Sequence, residues 1–413
     1  MKAQASVHKT RTRAFRVPLT RVVLKNYKSI GYCDVPLQPL TYLVGPNGSG
    51  KSNFLDALHL VQEALSGTLE NALHERGGLS EVRRRSSGHP NNFSVQPHFA
   101  LPNRGTGTYG FRIGATAGGG FVVQEEECTL EGGPRPAFHK IEKGSLKRSS
   151  ETNFPAISTD RLALVSISGQ PQFRPLYDAL QTMGFYNLNP RIMWELQKPQ
   201  DGRLLKPAGE NIASVVGHLE RSKPEGLKII EEYLHHVVAS VDSLKRIAVG
   251  PMETLEFRQQ MAGAKYPWSF YAQSMSDGTL RAVGVLTALF QGSGEKGLSL
   301  VGIEEPETAL HPAASAALRE ALTSASVQTQ VLVTSHSPEL LDDAGIEPDA
   351  ILSVEYSEGE TRIAPIDQAA RASIHDKLFT AGELLRLNQL APNSALVEEQ
   401  KKAQNELFDE AND

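Results

Sequence analysis

The sequence predicts an α/β fold: a mixed sheet with flanking helices, built round a phosphate-binding loop and carrying a helical lid or arm as an insertion. Three observations carry this. Gly45-Pro-Asn-Gly-Ser-Gly-Lys-Ser52 fits G-x-x-x-x-G-K-[ST] between a β-prone run, Thr41–Val44, and an amphipathic stretch, Asn53–Leu65. A second apolar run, Gly297–Ile303, ends in the acidic pair Glu304-Glu305. A third, Gln330–Ser335, ends in His336. Open α/β sheets bind ligands at the carboxyl ends of their strands, where all three polar segments fall.

Composition sets outer limits. The chain has 413 residues, net charge -5 and 40% hydrophobic residues, an ordinary globular make-up. That length fits two or three domain-sized units, or one large domain with an insertion. The charge excludes a generally basic, nucleic-acid-coating protein and leaves room for a local basic face. Cysteine occurs only at Cys33 and Cys128, so neither a disulfide framework nor a thiolate metal cluster is expected. This suits a reducing, cytoplasmic setting. No apolar run approaches the roughly 20 residues that cross a bilayer, so no membrane association is expected.

In chain order, residues 1–20 hold five Lys/Arg and no acid, without an apolar signal core. They read as a flexible basic tail, with a phosphate-contacting arm as the alternative. Arg21–Tyr27 is a strand, followed by a turn-rich connection with a second short strand and then the strand entering the loop. The segment Glu75–Pro90, with Arg76, Arg83, Arg84 and Arg85, reads as a solvated charged loop in preference to a phosphate contact. Residues 93–130 are β-like, and 131–160 read as an exposed loop. Residues 161–249 read as mostly helical, with Leu227, Ile230, Leu234, Val237, Val238, Val241 and Leu244 near helical spacing. Met252–Tyr271 returns to strand character. Leu280–Leu289 is a helix, Ile351–Tyr356 a strand, Lys377–Leu390 a helix, and 397–413 a frayed, charged end. The domain reading is a tail (1–20), two parts of one head (21–160 and 251–370), a helical insertion (161–250) and a C-terminal helix with its tail (371–413).

The chemistry follows from residue type and spacing. Glycines 45, 48 and 50 let backbone N–H groups converge, and the next helix aims its positive end at the same point. Gly45, Pro46, Asn47, Gly48, Ser49, Gly50, Lys51, Ser52 and Asn53 therefore form the expected ATP cradle. Lys51 reaches the β- and γ-phosphates, and Ser52 offers its hydroxyl to Mg²⁺. Phosphoryl transfer to water needs one acid near the metal and one at the water. Glu304 is assigned to Mg²⁺ and Glu305 to the water. His336 is expected to touch the γ-phosphate or the attacking water. Ser276 and Gly278 lie where the Leu280 helix begins, a second anion-ready site. A plain N-cap is the alternative. With one nucleotide already cradled, this second site suggests contact with a nucleotide held by a second copy.

These elements, in this order, resemble the ABC-type ATPase heads of the RecF, SMC and OLD-like ATPases. Asn26-Tyr-Lys-Ser-Ile30 looks like the family's early strand and turn. Ser274–Arg281 is similar to the signature motif, with Asp277 where transporter ATPases carry glycine. Ile303-Glu-Glu-Pro-Glu-Thr-Ala-Leu-His-Pro312 resembles the Walker B and D-loop segment, with Glu304 in place of the more usual Asp. Thr334-Ser-His-Ser-Pro338 matches the switch-histidine segment. The resemblance implies head-to-tail pairing of two subunits around two ATP molecules. In that pairing Ser276 and Gly278 meet the partner's γ-phosphate, and residues 307–312 cross the seam. It offers Gln96 and Gln124 as Q-loop candidates without choosing between them.

For biological role, the OLD resemblance implies a following Toprim nuclease. Only residues 337–413 follow the switch histidine, and no Asp-x-Asp follows Ile351–Tyr356. Any nuclease or toxin is therefore expected on a separate effector polypeptide, as in bacterial anti-phage defence ATPases. A RecF-like clamp on DNA and an ATP-assembled scaffold with little turnover are the alternatives. A transporter subunit is disfavoured by the altered signature and the long middle segment.

Overall fold

The structure is a computed structural model. It describes residues 18–86, 90–101, 105–132, 135–238, 240–292 and 297–409, the last five of these by backbone alone. The basic tail expected over 1–20 lies outside the described residues up to position 17. Sixteen strands follow in order: β1 (Leu19–Tyr27), β2 (Ile30–Pro36), β3 (Leu40–Val44), β4 (Asn92–Leu101), β5 (Gly105–Ala115), β6 (Phe121–Glu131), β7 (Ala137–Glu142), β8 (Ser145–Ser149), β9 (Met183–Tyr186), β10 (Val241–Val249), β11 (Met252–Gln259), β12 (Trp268–Tyr271), β13 (Leu300–Glu304), β14 (Gln330–Ser335), β15 (Ile351–Ser357) and β16 (Glu360–Pro365).

Among the described residues, thirteen of them form one mixed sheet, ordered β8-β7-β6-β5-β4-β1-β2-β16-β15-β3-β14-β13-β9. The strands β15, β3, β14, β13 and β9 run parallel. The long β4–β8 wing is antiparallel. Strand β14 is buried along its whole length, as a central parallel strand covered on both faces must be. Its side chains alternate between two cores. Leu332 packs with Phe54 and Leu58 on one face. Val331 and Val333 pack with Leu280 and Ile303 on the other. Strands β10, β11 and β12 make a separate three-stranded sheet.

Several expectations need correction. Residues 131–160 are not simply a loop, since β7 and β8 form a hairpin there. Ala137, His139 and Ile141 face inward, and the turn is carried by left-handed Lys143 and Gly144. The segment 161–249 is not helical throughout. Strand β9 enters the main sheet beside β13, and the helix Pro224–Val237 stops before Val241 and Leu244, which lie on β10. A bulge between Val241 and Ser243 turns residues three apart to one face, which mimics helical spacing in the sequence. The Glu75–Pro90 arginines are not solvated as a group. The Arg76 side chain is largely covered and pairs with Asp56 at 2.9 Å and with Glu63. Arg84 pairs with Glu360 at 2.9 Å, and Arg83 donates to the Pro90 carbonyl at 2.7 Å. Between Lys377 and Leu390 only Ala381–Arg386 is helical. The end is not frayed as far as it is described: in the helix Ser394–Asp409, Gln400 is buried and its amide donates to the carbonyls of Asp34 and Ile363. Among the described residues no helix is long and apolar enough to cross a membrane.

Candidate active site

Strand register brings the three sequence segments together. β14 pairs with β3 so that Ser335 opposes Val44, and with β13 so that Thr334 opposes Glu304. The loops leaving β3, β13 and β14 therefore emerge side by side. The Gly45 N–H donates to the Ser335 carbonyl at 3.3 Å, which closes the base of the phosphate loop.

The loop needs its glycines for different reasons. Gly48 has φ +78 and faces open space. Gly50 has φ +100, and a Cβ there would lie 2.1 Å from Thr361 Oγ1. A Cβ on Gly45 would lie 2.0 Å from the Val354 carbonyl. Thr361 Oγ1 donates to the Ser49 carbonyl at 2.8 Å and meets Ser29 Oγ at 2.7 Å; Asn53 donates to that same Ser29 at 2.6 Å. Pro46, Asn47 and Gly48 form the exposed rim. The helix Lys51–Ser66 begins directly at Lys51.

Lys51 is buried, and its ammonium donates to the carbonyls of Gly45 and Pro46 at 2.8 and 2.9 Å. Burial pulls it below the usual lysine range, opposed by Glu305, Glu307 and Glu304. Ser52 Oγ donates to Glu304 Oε2 at 2.6 Å. Burial raises the Glu304 carboxyl above its usual range, against the Ser52 hydrogen bond. The neighbouring Glu305 turns elsewhere: its Oε1 lies 3.1 Å from His336 Nδ1, with both side chains partly exposed. Its backbone sits at φ +43, with its N–H on the Thr334 carbonyl at 3.0 Å.

Ser276 caps the helix Asp277–Phe290, accepting from the Thr279 N–H at 3.2 Å. Its bonds run within its own helix. A Cβ on Gly278 would lie 2.4 Å from the Ala309 carbonyl, so this helix start presses on the loop after the acids. Gln96 is exposed on β4, and Gln124 on β6 lies against Gly114.

Besides Thr361, two residues escaped the sequence reading. Glu307, within the segment expected to cross a dimer seam, turns into its own chain: Ser335 Oγ donates to its Oε1 at 2.5 Å, and burial raises its carboxyl. Arg281 is buried, and its guanidinium donates to the carbonyls of Glu304 and Glu305, both at 2.9 Å. Neither role has a sequence signal beyond nearness to a motif.

This fold and arrangement define a P-loop ATPase head of the ABC type. Residues 40–342 match the family described as AAA domain, putative AbiEii toxin, Type IV TA system, and the chain belongs to that family. It is similar to the OLD nuclease of Thermus scotoductus, 24% identical over 351 residues, covering 78% of this chain and 60% of that one. It is also similar to the DNA replication and repair protein RecF of Vibrio vulnificus, 41% identical over 46 residues, 11% of this chain and 13% of RecF. The chain thus spans less than two thirds of these relatives. In fold it is similar to the Smc head crystallised with the C-winged helix domain of ScpA, with TM-score 0.55 at 15% identity over 84% of this chain and 97% of that one. The chain is thus a member of an AAA-domain family, similar in sequence to OLD and RecF and similar in fold to an SMC head.

Proposed function

We propose that the chain binds ATP with Mg²⁺, hydrolyses it, pairs head to tail with a second copy around the nucleotide, and uses the ATP state to control a separate effector. The observation that carries this reading is the meeting of Ser52 with Glu304 at 2.6 Å beside the Glu305–His336 pair at 3.1 Å. The donor set fits Mg²⁺: a hydroxyl and a carboxylate are hard oxygen ligands, and this ion keeps most of its water shell. Ser52 and Glu304 would hold it, and when bound it neutralises charge on the β- and γ-phosphates.

The chain's own groups do the rest. Lys51 uses two N–H donors on loop carbonyls and has a third for phosphate. Glu305 orients the attacking water, and His336 holds the Glu305 carboxylate from one side while facing the γ-phosphate position. Ser276 and Gly278 of the second copy complete the site, with the segment 307–312 along the seam and the Glu307 side chain turned into its own chain. Hydrolysis separates the heads and converts ATP state into movement. In this reading residues 161–250 join the two parts of one head, 21–160 and 251–370, lending β9 to the head sheet and leaving the arm to the residues that follow it.

The family description and the OLD relative both name destructive activities, toxin and nuclease. These names bear on a role in bacterial anti-phage defence; in this reading the chain acts in the cytoplasm and its effector is a nuclease or toxin on another polypeptide. A RecF-like DNA clamp draws less support, because Arg83 and Arg84 are engaged within the chain and Arg85 pairs with Glu81. The test is mass in solution. Glu305→Gln with Mg-ATP is expected to double in mass, and to stay single without nucleotide. A Glu305→Gln protein that remains single at saturating Mg-ATP contradicts the pairing.

A further inference from the structure

Arg281 lies in the second turn of the signature helix Asp277–Phe290 and is only 7% exposed. A buried guanidinium is costly unless its donors are used. One terminal nitrogen donates to the Leu188 carbonyl at 2.6 Å. The other forks between the carbonyls of Glu304 and Glu305, each at 2.9 Å. These two carbonyls belong to the residues whose side chains meet Ser52 and His336.

Glu305 needs such holding. At φ +43 it occupies the left-handed region, which is unfavourable for a non-glycine residue. Such a conformation persists only where its surroundings over-determine it. Three groups do so: the Thr334 carbonyl and hydroxyl on the Glu305 N–H, and Arg281 on its carbonyl. A second contact joins the same two elements, where Gly278 abuts the Ala309 carbonyl. Signature helix and acidic loop are therefore fastened at two points.

We propose that Arg281 is a positioning residue: it fixes the Glu304–Glu305 peptide so that Glu305 faces His336, and it ties that peptide to the helix whose start meets the second copy. Contact at Ser276 and Gly278 is then transmitted to the water-positioning acid through a rigid fork. Lysine cannot replace it, since one ammonium nitrogen on a flexible stem cannot span the three carbonyls. The assignment rests on the reading of Glu305 as the water-positioning acid.

The test compares full-length wild type, Arg281→Lys, Glu305→Gln and the double variant, by phosphate release at saturating Mg-ATP and by binding of a fluorescent ATP analogue. Arg281→Lys is expected to lower kcat by about tenfold or more while analogue affinity changes by less than about threefold. In the Glu305→Gln background the same substitution is expected to change the residual rate by less than about twofold, because the residues act as a unit. Unchanged kcat in Arg281→Lys, or an equal loss in both backgrounds, overturns the assignment. Should the lysine variant not fold, Arg281→Gln carries the same comparison. Failure of both to fold makes Arg281 a stability residue and also overturns it. A wild type that releases no phosphate overturns the ATPase reading itself.

Discussion

Lys51, Ser52, Glu304 and Glu305 have four different environments within one site, and the roles proposed for them follow from those environments. Lys51 is anchored by loop carbonyls and faces three carboxylates, so its charge is the local counterweight to Glu304, Glu305 and Glu307. Lys51→Ala is expected to abolish ATP binding, read by calorimetric titration; retained affinity contradicts its phosphate role. Glu307 gives a pH-dependent case. Burial raises its folded-state pKa, so its contribution to stability is fully present below the unfolded value, about 4.3, and is lost as pH rises through the raised one. Glu307→Gln is neutral at every pH and keeps an acceptor for Ser335. It is therefore expected to melt above wild type at neutral pH, and the gain should shrink on acidification below about pH 4. A melting difference that does not vary with pH contradicts this sign.

Among elements, the phosphate loop depends on chain far from it. Thr361 on β16 caps the Ser49 carbonyl and closes against Gly50. Thr361→Val removes that donor from a buried acceptor, which costs about 1–3 kcal/mol. Weaker ATP binding should accompany a lower melting temperature; unchanged values for both contradict the support role. The loop itself was legible in the sequence because its spacing is contiguous and strand, turn and helix follow one another. The ends of β13 and β14 were legible for the same reason. Thr361, Arg281 and Glu307 were not, because their roles consist of contacts with backbone carbonyls and hydroxyls brought close only by the sheet order. The hairpin β7–β8 was hidden by polar composition, and β10 by a bulge that imitates helical spacing. The C-terminal helix looked frayed because its charge is high, yet Gln400 seals it to β2 and β16.

At the scale of the molecule, one thirteen-stranded sheet joins a parallel half to an antiparallel wing, with the strand ending at His336 lying between the loop strand and the acidic strand. The signature helix is fastened to the acidic loop at Arg281 and Gly278. In the proposed pairing, a contact at its start would thereby be linked to Glu304 and Glu305, as a nucleotide-driven pairing device requires. The proposed pairing, effector control and defence role all depend on one central claim, that ATP is hydrolysed here with Glu305 placing the water. The most direct measurement is steady-state phosphate release at saturating Mg-ATP by wild type and Glu305→Gln. Release by wild type and a loss of about a hundredfold or more in Glu305→Gln is the predicted result. Equal rates in the two proteins contradict it.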